Sequence, residues 1–442
     1  MSTGTVAAEV RTRRPLYGWL TAEAISLTGT RISMIALPWF VLTTTGSATR
    51  TGLVALAEML PLVLLKVLGG PIIDRVGARR IAITCDVGSL AVVGSIPLLH
   101  ATGHLSFAGF LLLVAMAGAL RGPGDGAKQA MVPALVARAS VPMERATGLG
   151  STVERGASML GAAFAGGLVA LVGPANALVI DALSFGLSAA VFAWATRPLV
   201  AAPATAPGEG VADADAEPAD ASSYLTQLRE GWDFLRRDRV LFGIAVMVAL
   251  TNFLDIAWAS VLVPVWAREY GGGAAAIGVL FAVFSGASVL GAMCAAAWGE
   301  RLPRYRTYLL AFLICGAPRF ASMAFDVPLW VVLGVAVAGG FASGFINPVL
   351  GAVIYERIPE PLLGRVTSLT TAMCFVLMPV GGLLGGLLVS GWGLPAAMLG
   401  VGAAYLVVTM LPAVDPRWRE MDQRPAGSVA GADDPVGQPV EA

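Results

Sequence analysis

Among the ionisable side chains that sit inside long apolar runs, seven are the leading candidates for chemistry: Glu23, Arg31, Glu58, Lys66, Asp181, Asp255 and Arg319. A charge at membrane depth is costly, so each needs a partner or a water-filled cavity. Such a carboxylate can load and release a proton, the elementary step of coupling transport to a proton gradient. Asp255, with Asn252 one turn away, ranks first for that step because no basic residue lies within a turn or two along its helix. Glu58 ranks second. Asp181 and Arg319 are further candidates, and a pair between Arg319 and Asp255 is the bland alternative to a free Asp255.

Spacing suggests how the others pair. At the helical rise, Glu23 and Arg31 stand about 9 Å and about 21 Å from the start of their run, and Lys66 and Glu58 stand at about the same depths on the next, antiparallel run. The signs are crossed. Arg31 with Glu58, and Glu23 with Lys66, are therefore the expected bridges, either as static supports or as parts of a coupling device.

The elements that must position these charges follow from composition. Of 442 residues, 56% are apolar and 13% charged. Soluble domains are about a quarter charged, so this chain cannot cover a soluble surface. Apolar runs of about twenty residues match the hydrocarbon thickness. They fall near 17–43, 52–73, 81–101, 106–126, 148–171, 177–197, 240–267, 275–298, 307–325, 328–349, 367–390 and 395–413. The fold class is an all-α membrane protein with twelve transmembrane helices in two pseudo-symmetric six-helix bundles. The expected parts are a cytoplasmic N-terminus over 1–16, bundles over 17–197 and 240–413, a cytoplasmic linker over 198–239, and a disordered tail over 414–442.

Within the linker, residues 198–223 are rich in Ala, Pro and acidic residues and are expected to be disordered. Leu225, Leu228, Trp232 and Leu235 recur at helical spacing and predict an amphipathic helix on the inner membrane surface. The halves echo each other at an offset of 220: Arg145, Thr147, Gly161, Gly166 and Gly173 match Arg365, Thr367, Gly381, Gly386 and Gly393. Parallel six-helix repeats are a known transporter plan.

Other chemistries are absent. Net charge is zero, which gives no pull toward nucleic acid. Cys85, Cys294, Cys315 and Cys374 are scattered through apolar runs, and His100 and His104 flank a short loop. Neither set forms a disulfide or metal pattern, and no cofactor, nucleotide-binding loop or enzyme constellation is expected.

Between the second and third runs lies Gly70-Pro71-Ile72-Ile73-Asp74-Arg75-Val76-Gly77-Ala78-Arg79-Arg80, with a degenerate echo at Gly299-Glu300-Arg301-Leu302-Pro303-Arg304 between the eighth and ninth. The loop resembles the Gly-x-Leu-Ala-Asp-Arg-x-Gly-Arg-Lys gating motif of the major facilitator superfamily, with Ala78 where a basic residue is usual. The chain is most similar to its drug-proton antiporter branch of macrolide exporters and the enterobactin exporter. Ala36-Leu37-Pro38-Trp39, Thr45-Gly46-Ser47-Ala48, Ala57-Glu58-Met59-Leu60-Pro61 and Asp181-Ala182-Leu183-Ser184-Phe185 carry that likeness. The resemblance implies secondary transport: protons exchanged for an exported small, largely apolar compound, by a monomer in the inner membrane. It implies a gating loop of Gly70, Asp74, Arg75, Gly77, Arg79 and Arg80, with Asp74 near the N-terminus of the eleventh helix. It also places Arg121 where the superfamily often has a functional arginine. An uptake permease, and a receptor or assembly factor that transports nothing, are the competing readings.

Orientation follows the basic residues, which favour cytoplasmic loops. With both termini cytoplasmic, the outer loops hold only Arg50 and Arg268. A single cysteine at position 210, in a cysteine-free background, should therefore be inaccessible to a membrane-impermeant thiol reagent in intact cells. Labelling without permeabilisation reverses the orientation.

Overall fold

The computed structural model describes residues 12–197, 221–325, 327–359 and 362–422. Among the described residues, twelve helices are long and apolar enough to cross a membrane, and there is no strand. They are α1 (Arg14–Thr45), α2 (Ala48–Lys66), α3 (Ala78–Ala101), α4 (Phe107–Ala139), α5 (Arg145–Val172), α6 (Pro174–Ala195), α7 (Arg239–Glu269), α8 (Ala274–Trp298), α9 (Arg304–Ala324), α10 (Leu329–Arg357), α11 (Leu363–Trp392) and α12 (Leu394–Ala413).

Local chemistry sets the ends. Gly46, at φ +67°, caps α1 and its N–H bonds the Leu42 carbonyl. Ser47, Ser106 and Asp238 accept backbone N–H groups at the starts of α2, α4 and α7. The α5–α6 turn hinges on Gly173 at φ +82°, and the α11–α12 turn on Gly393 at φ +77°, 220 residues later. The internal echo in the sequence is thus an echo in backbone geometry, at positions where a Cβ would be strained.

Helix α1 packs on α5 and α6, α2 on α4, and α3 on α4 and α6. In the second half, α7 packs on α11, α8 on α10, and α9 on α12. The halves meet through α2 with α11 and α5 with α8, two contacts that the internal repeat exchanges.

Those contacts are made of glycine. A Cβ on Gly52 would strike the backbone of Gly382, one on Gly386 the backbone of Ala48 and Thr49, and Gly166 and Gly278 abut directly. Thr49 and Ser390 hydroxyls bond at 2.7 Å across the same seam. All four contacts lie toward the end where α2 begins. Toward the basic-loop end, Gly148 and Gly156 of α5 and Gly364 of α11 face open space. Small residues let helix backbones approach, so their placement seals one end and leaves the other parted.

Three expectations change. The predicted fourth run stops at 126, but α4 continues through the Pro- and Gly-rich stretch to Ala139, which carries Lys128 into the bundle. In the linker helix, Ala221–Arg237, the Trp232 and Leu235 end of the expected apolar stripe turns onto the second half. Leu235 is fully buried with Leu241, Ile358 and Val366, and Glu230 bonds Arg365 at 2.7 Å, because the base of the second half offers a matching apolar face. The tail is not polar and free throughout: Pro416–Asp422 forms a 3₁₀ segment with Trp418 and Met421 buried. Trp418 packs on Tyr308, and Asp422 accepts the Tyr305 N–H at 3.0 Å. The expected disorder over 198–220 and 423–442 falls outside the described residues.

The seam makes a testable demand. Gly166→Val should prevent α5 and α8 from closing, since backbone atoms cannot yield. A cysteine at Ile256, inside the central cavity, should then be labelled from the sealed end about tenfold faster, a shift of about 1.4 kcal/mol. An unchanged rate would mean the helices repack around the valine.

Candidate functional site

Between the halves, below the glycine seam, lies a cavity of about 200 Å³. Helices α1, α2 and α5 line it from the first half, and α7 and α8 from the second. Its wall is mainly apolar, including Met34, Pro38, Met59, Ile256 and Phe281, with Arg31 and Glu58 as its charged members.

The crossed bridges do not form. Glu58 pairs with Arg121 of α4 at 2.9 Å, because α2 packs along α4 far more than along α1. Arg31 instead donates to the Ser158 hydroxyl of α5 at 2.6 Å and to the Met34 sulfur at 3.3 Å. Lys66 is exposed, its ammonium 5.6 Å from the Phe375 ring centre across the interface. Glu23 has a buried Oε2 without a hydrogen bond. Arg121, flagged only by resemblance, thus becomes the partner of the cavity carboxylate.

Asp181 is almost wholly buried at the α1–α6 contact, where the Ser33 hydroxyl donates to it and Ser184 donates to its carbonyl at 2.7 Å. It is a hydrogen-bonded carboxylate, not one open to the cavity.

Asp255 is not unpartnered. Arg319, rising from α9, forms an ion pair with it. The guanidinium is further enclosed by Trp258, Phe320 and Tyr405, with ring centres 4.6, 4.8 and 4.8 Å away. Three π faces and one carboxylate together stabilise a cation removed from water. Sequence proximity could not show this, since the two residues are 64 apart. A π-helical turn over Trp258–Leu262 begins three residues after Asp255 and carries Ala259 and Ser260, both cavity-lining.

The residues of the expected gating loop are held in different ways. Gly70–Val76 forms a short helix, and Gly77, at φ +95°, returns its N–H to Ile73. Arg79 clamps the end of α6, donating to Thr196 at 2.9 Å and to the Ala193 carbonyl at 3.0 Å. Asp74, Arg75 and Arg80 are exposed. Asp74 makes no ion pair or hydrogen bond among the described residues, and Gly364 at the start of α11 faces open space. The contact that the resemblance implies at that helix end is therefore not made here, because the halves are parted on this side.

One buried network escaped the sequence reading. Lys128 is 1% exposed and holds Asp86 of α3 at 3.0 Å, while Ser188 of α6 donates to the same carboxylate at 2.8 Å. It ties three helices of the first half. Asp86 lies within the predicted third run and was the available signal; Lys128 was misassigned to a loop by the early end of the fourth.

The Glu58–Arg121 pair predicts an asymmetry. Stranding a buried charge costs about 3–5 kcal/mol. Glu58→Gln strands a guanidinium that cannot discharge, whereas Arg121→Gln strands a carboxylate that can take up a proton. Thermal unfolding in detergent should rank Glu58→Gln as the more destabilised, with the double variant recovering part of the loss. Additive losses would mean that the pair contributes nothing as a pair.

Comparison with known proteins agrees with this architecture. The profile of the transmembrane secretion effector family matches residues 12–436. The chain is 32% identical over 432 residues to the multidrug efflux pump Tap of Mycobacterium tuberculosis, covering 96% of this chain and 98% of that protein. It is 23% identical to macrolide efflux protein A of Streptococcus pyogenes, covering 90% and 95%. The crystal structure of the nucleoside transporter NupG superposes with a TM-score of 0.68 at 12% identity, covering 90% of this chain and 97% of that one. The chain is a multi-pass membrane transporter that belongs to the transmembrane secretion effector family, within the major facilitator superfamily.

Proposed function

We propose that the protein exports a small, largely apolar compound across the inner membrane in exchange for protons, by alternating access. The observation that carries this reading is the central cavity: mainly apolar, sealed at one end by glycine backbone contacts, and holding a carboxylate in its wall. Likeness to an efflux pump along nearly the whole chain supports export over uptake. In this reading both termini and the linker are cytoplasmic, the parted end faces the cytoplasm, and each six-helix bundle moves as a unit. Asp74, exposed here, would meet the α11 N-terminus when that side closes, where the helix dipole favours a carboxylate.

Glu58 is the proposed proton carrier. It faces the cavity, while Asp255 is committed to a caged arginine and Asp181 to serine hydroxyls. A proton arriving at Glu58 would release Arg121, and that release would change how α2 and α4 hold each other. Coupling then needs no residue beyond the pair and the cavity.

Proteoliposomes with an imposed pH gradient, screened against hydrophobic antibiotics, test the function. Gradient-driven uptake that a protonophore abolishes is the expected result. Glu58→Gln should lose the gradient-driven component while retaining exchange of substrate without a gradient. Gradient-driven transport surviving intact in Glu58→Gln, with proton release on substrate addition also unchanged, removes Glu58 from coupling.

A further inference from the structure

Three arginines lie deep in the spans, and they are not held alike. Arg121 has the Glu58 carboxylate at 2.9 Å. Arg319 has Asp255 and three aromatic faces. Arg31 has no carboxylate partner among the described residues. Its guanidinium rests on the Ser158 hydroxyl and the Met34 thioether, both neutral, and its Nε is buried without a hydrogen bond. Glu154 is one helical turn from Ser158 on the same face of α5, but it is exposed and forms no ion pair with Arg31.

Arg31 also lines the cavity, and the other charge there, Glu58, is already neutralised by Arg121. The second half contributes only uncharged residues to the wall, among them Ile256, Ser260, Phe281 and Ser285. The cavity therefore presents one cation without an ion-pair partner in a mainly apolar wall, with Glu154 acting on it only from beyond bridge distance. Arg31 is half-buried with its Nε enclosed, and for a partly desolvated guanidinium with no carboxylate beside it an anionic oxygen is the partner that satisfies it best.

We propose that Arg31 is the substrate anchor: it binds an anionic oxygen, such as a carboxylate or phenolate, on a compound whose apolar body fills the rest of the cavity. Ser158 positions the guanidinium, and Met34 and Pro38 flank it on α1. The proposal rests on reading the cavity as the transport site and adds the chemical class of what enters it.

Two probes with one apolar body test it: pyrenebutyrate, which carries a carboxylate, and pyrenebutanol, which does not. Binding is measured by fluorescence on purified full-length protein and on Arg31→Gln and Arg31→Lys. Wild type should bind pyrenebutyrate about ten- to hundredfold more tightly than pyrenebutanol, the range of one hydrogen bond to a charged group. Arg31→Gln should abolish that preference without weakening pyrenebutanol, and Arg31→Lys, a folding control that keeps the charge, should retain part of it. Equal binding of the two probes by wild type overturns the anchor while leaving the cavity as transport site intact. So does equal weakening of both probes in Arg31→Gln reversed by adding Glu58→Gln, which would make Arg31 an alternative partner of Glu58. Failure of wild type to bind either probe overturns the cavity reading and the anchor with it.

Discussion

An ionised group at membrane depth must be neutralised by a neighbouring helix, and most of this protein's arrangement follows from that requirement. Lys128 with Asp86 and Ser188 binds α4, α3 and α6 together. Arg121 with Glu58 joins α4 to α2, and Arg319 with Asp255 joins α9 to α7. Each of these pairs lies within one half. None crosses the interface, so each bundle is internally bound by charge while the two remain free of strong polar ties at depth. That is the distribution a rocking mechanism needs, because a buried pair spanning the halves would have to be stranded in every cycle.

What does cross the interface is weak and reversible. The α2–α11 and α5–α8 contacts are largely backbone against backbone, joined by the Thr49–Ser390 hydroxyl bond, by exposed Arg268 of α7 donating to the Leu42 carbonyl of α1 at 3.2 Å, and by exposed Lys66 near the Phe375 ring. Such packing is tight when made but leaves no buried charge behind when broken, since glycine exposes only backbone that its own helix already satisfies. At the basic-loop end the polar groups face water, and ion pairs are cheap to rearrange there. Arg304 with Glu356, Arg357 with Asp238 and Glu420, and Arg365 with Glu230 fasten the ends of α7, α9, α10 and α11 to the linker helix and the tail segment. The second half thus carries its own collar of ion pairs.

The cavity sits where these two regimes meet. Its wall is apolar because five helices bring lipid-like faces together, and its charged members come from the first half alone. The asymmetry between halves that look alike in plan places ion chemistry on α1, α2 and α4 and an apolar face on α7 and α8.

Much was legible before any coordinates. The twelve spans and the internal echo rest on local quantities: run length against hydrocarbon thickness, and glycines that permit particular turns. The set of charges that had to matter was also local, because a charged residue in an apolar run is visible one residue at a time. Their partners were not. Equal depth on adjacent runs predicted Arg31 with Glu58, yet depth leaves the rotation of each helix about its axis undetermined, and rotation turned Glu58 toward α4 and Arg31 toward α5. The pair of Arg319 with Asp255 was legible only as an alternative, and the same gap hid the aromatic faces of Trp258, Phe320 and Tyr405 around that arginine and buried Lys128 in a helix that seemed to end before it. The sequence by itself determined which residues needed neutralising and how many helices would carry them; only the tertiary structure decided which helix supplied each partner, because that depends on side-chain packing between segments far apart in the chain.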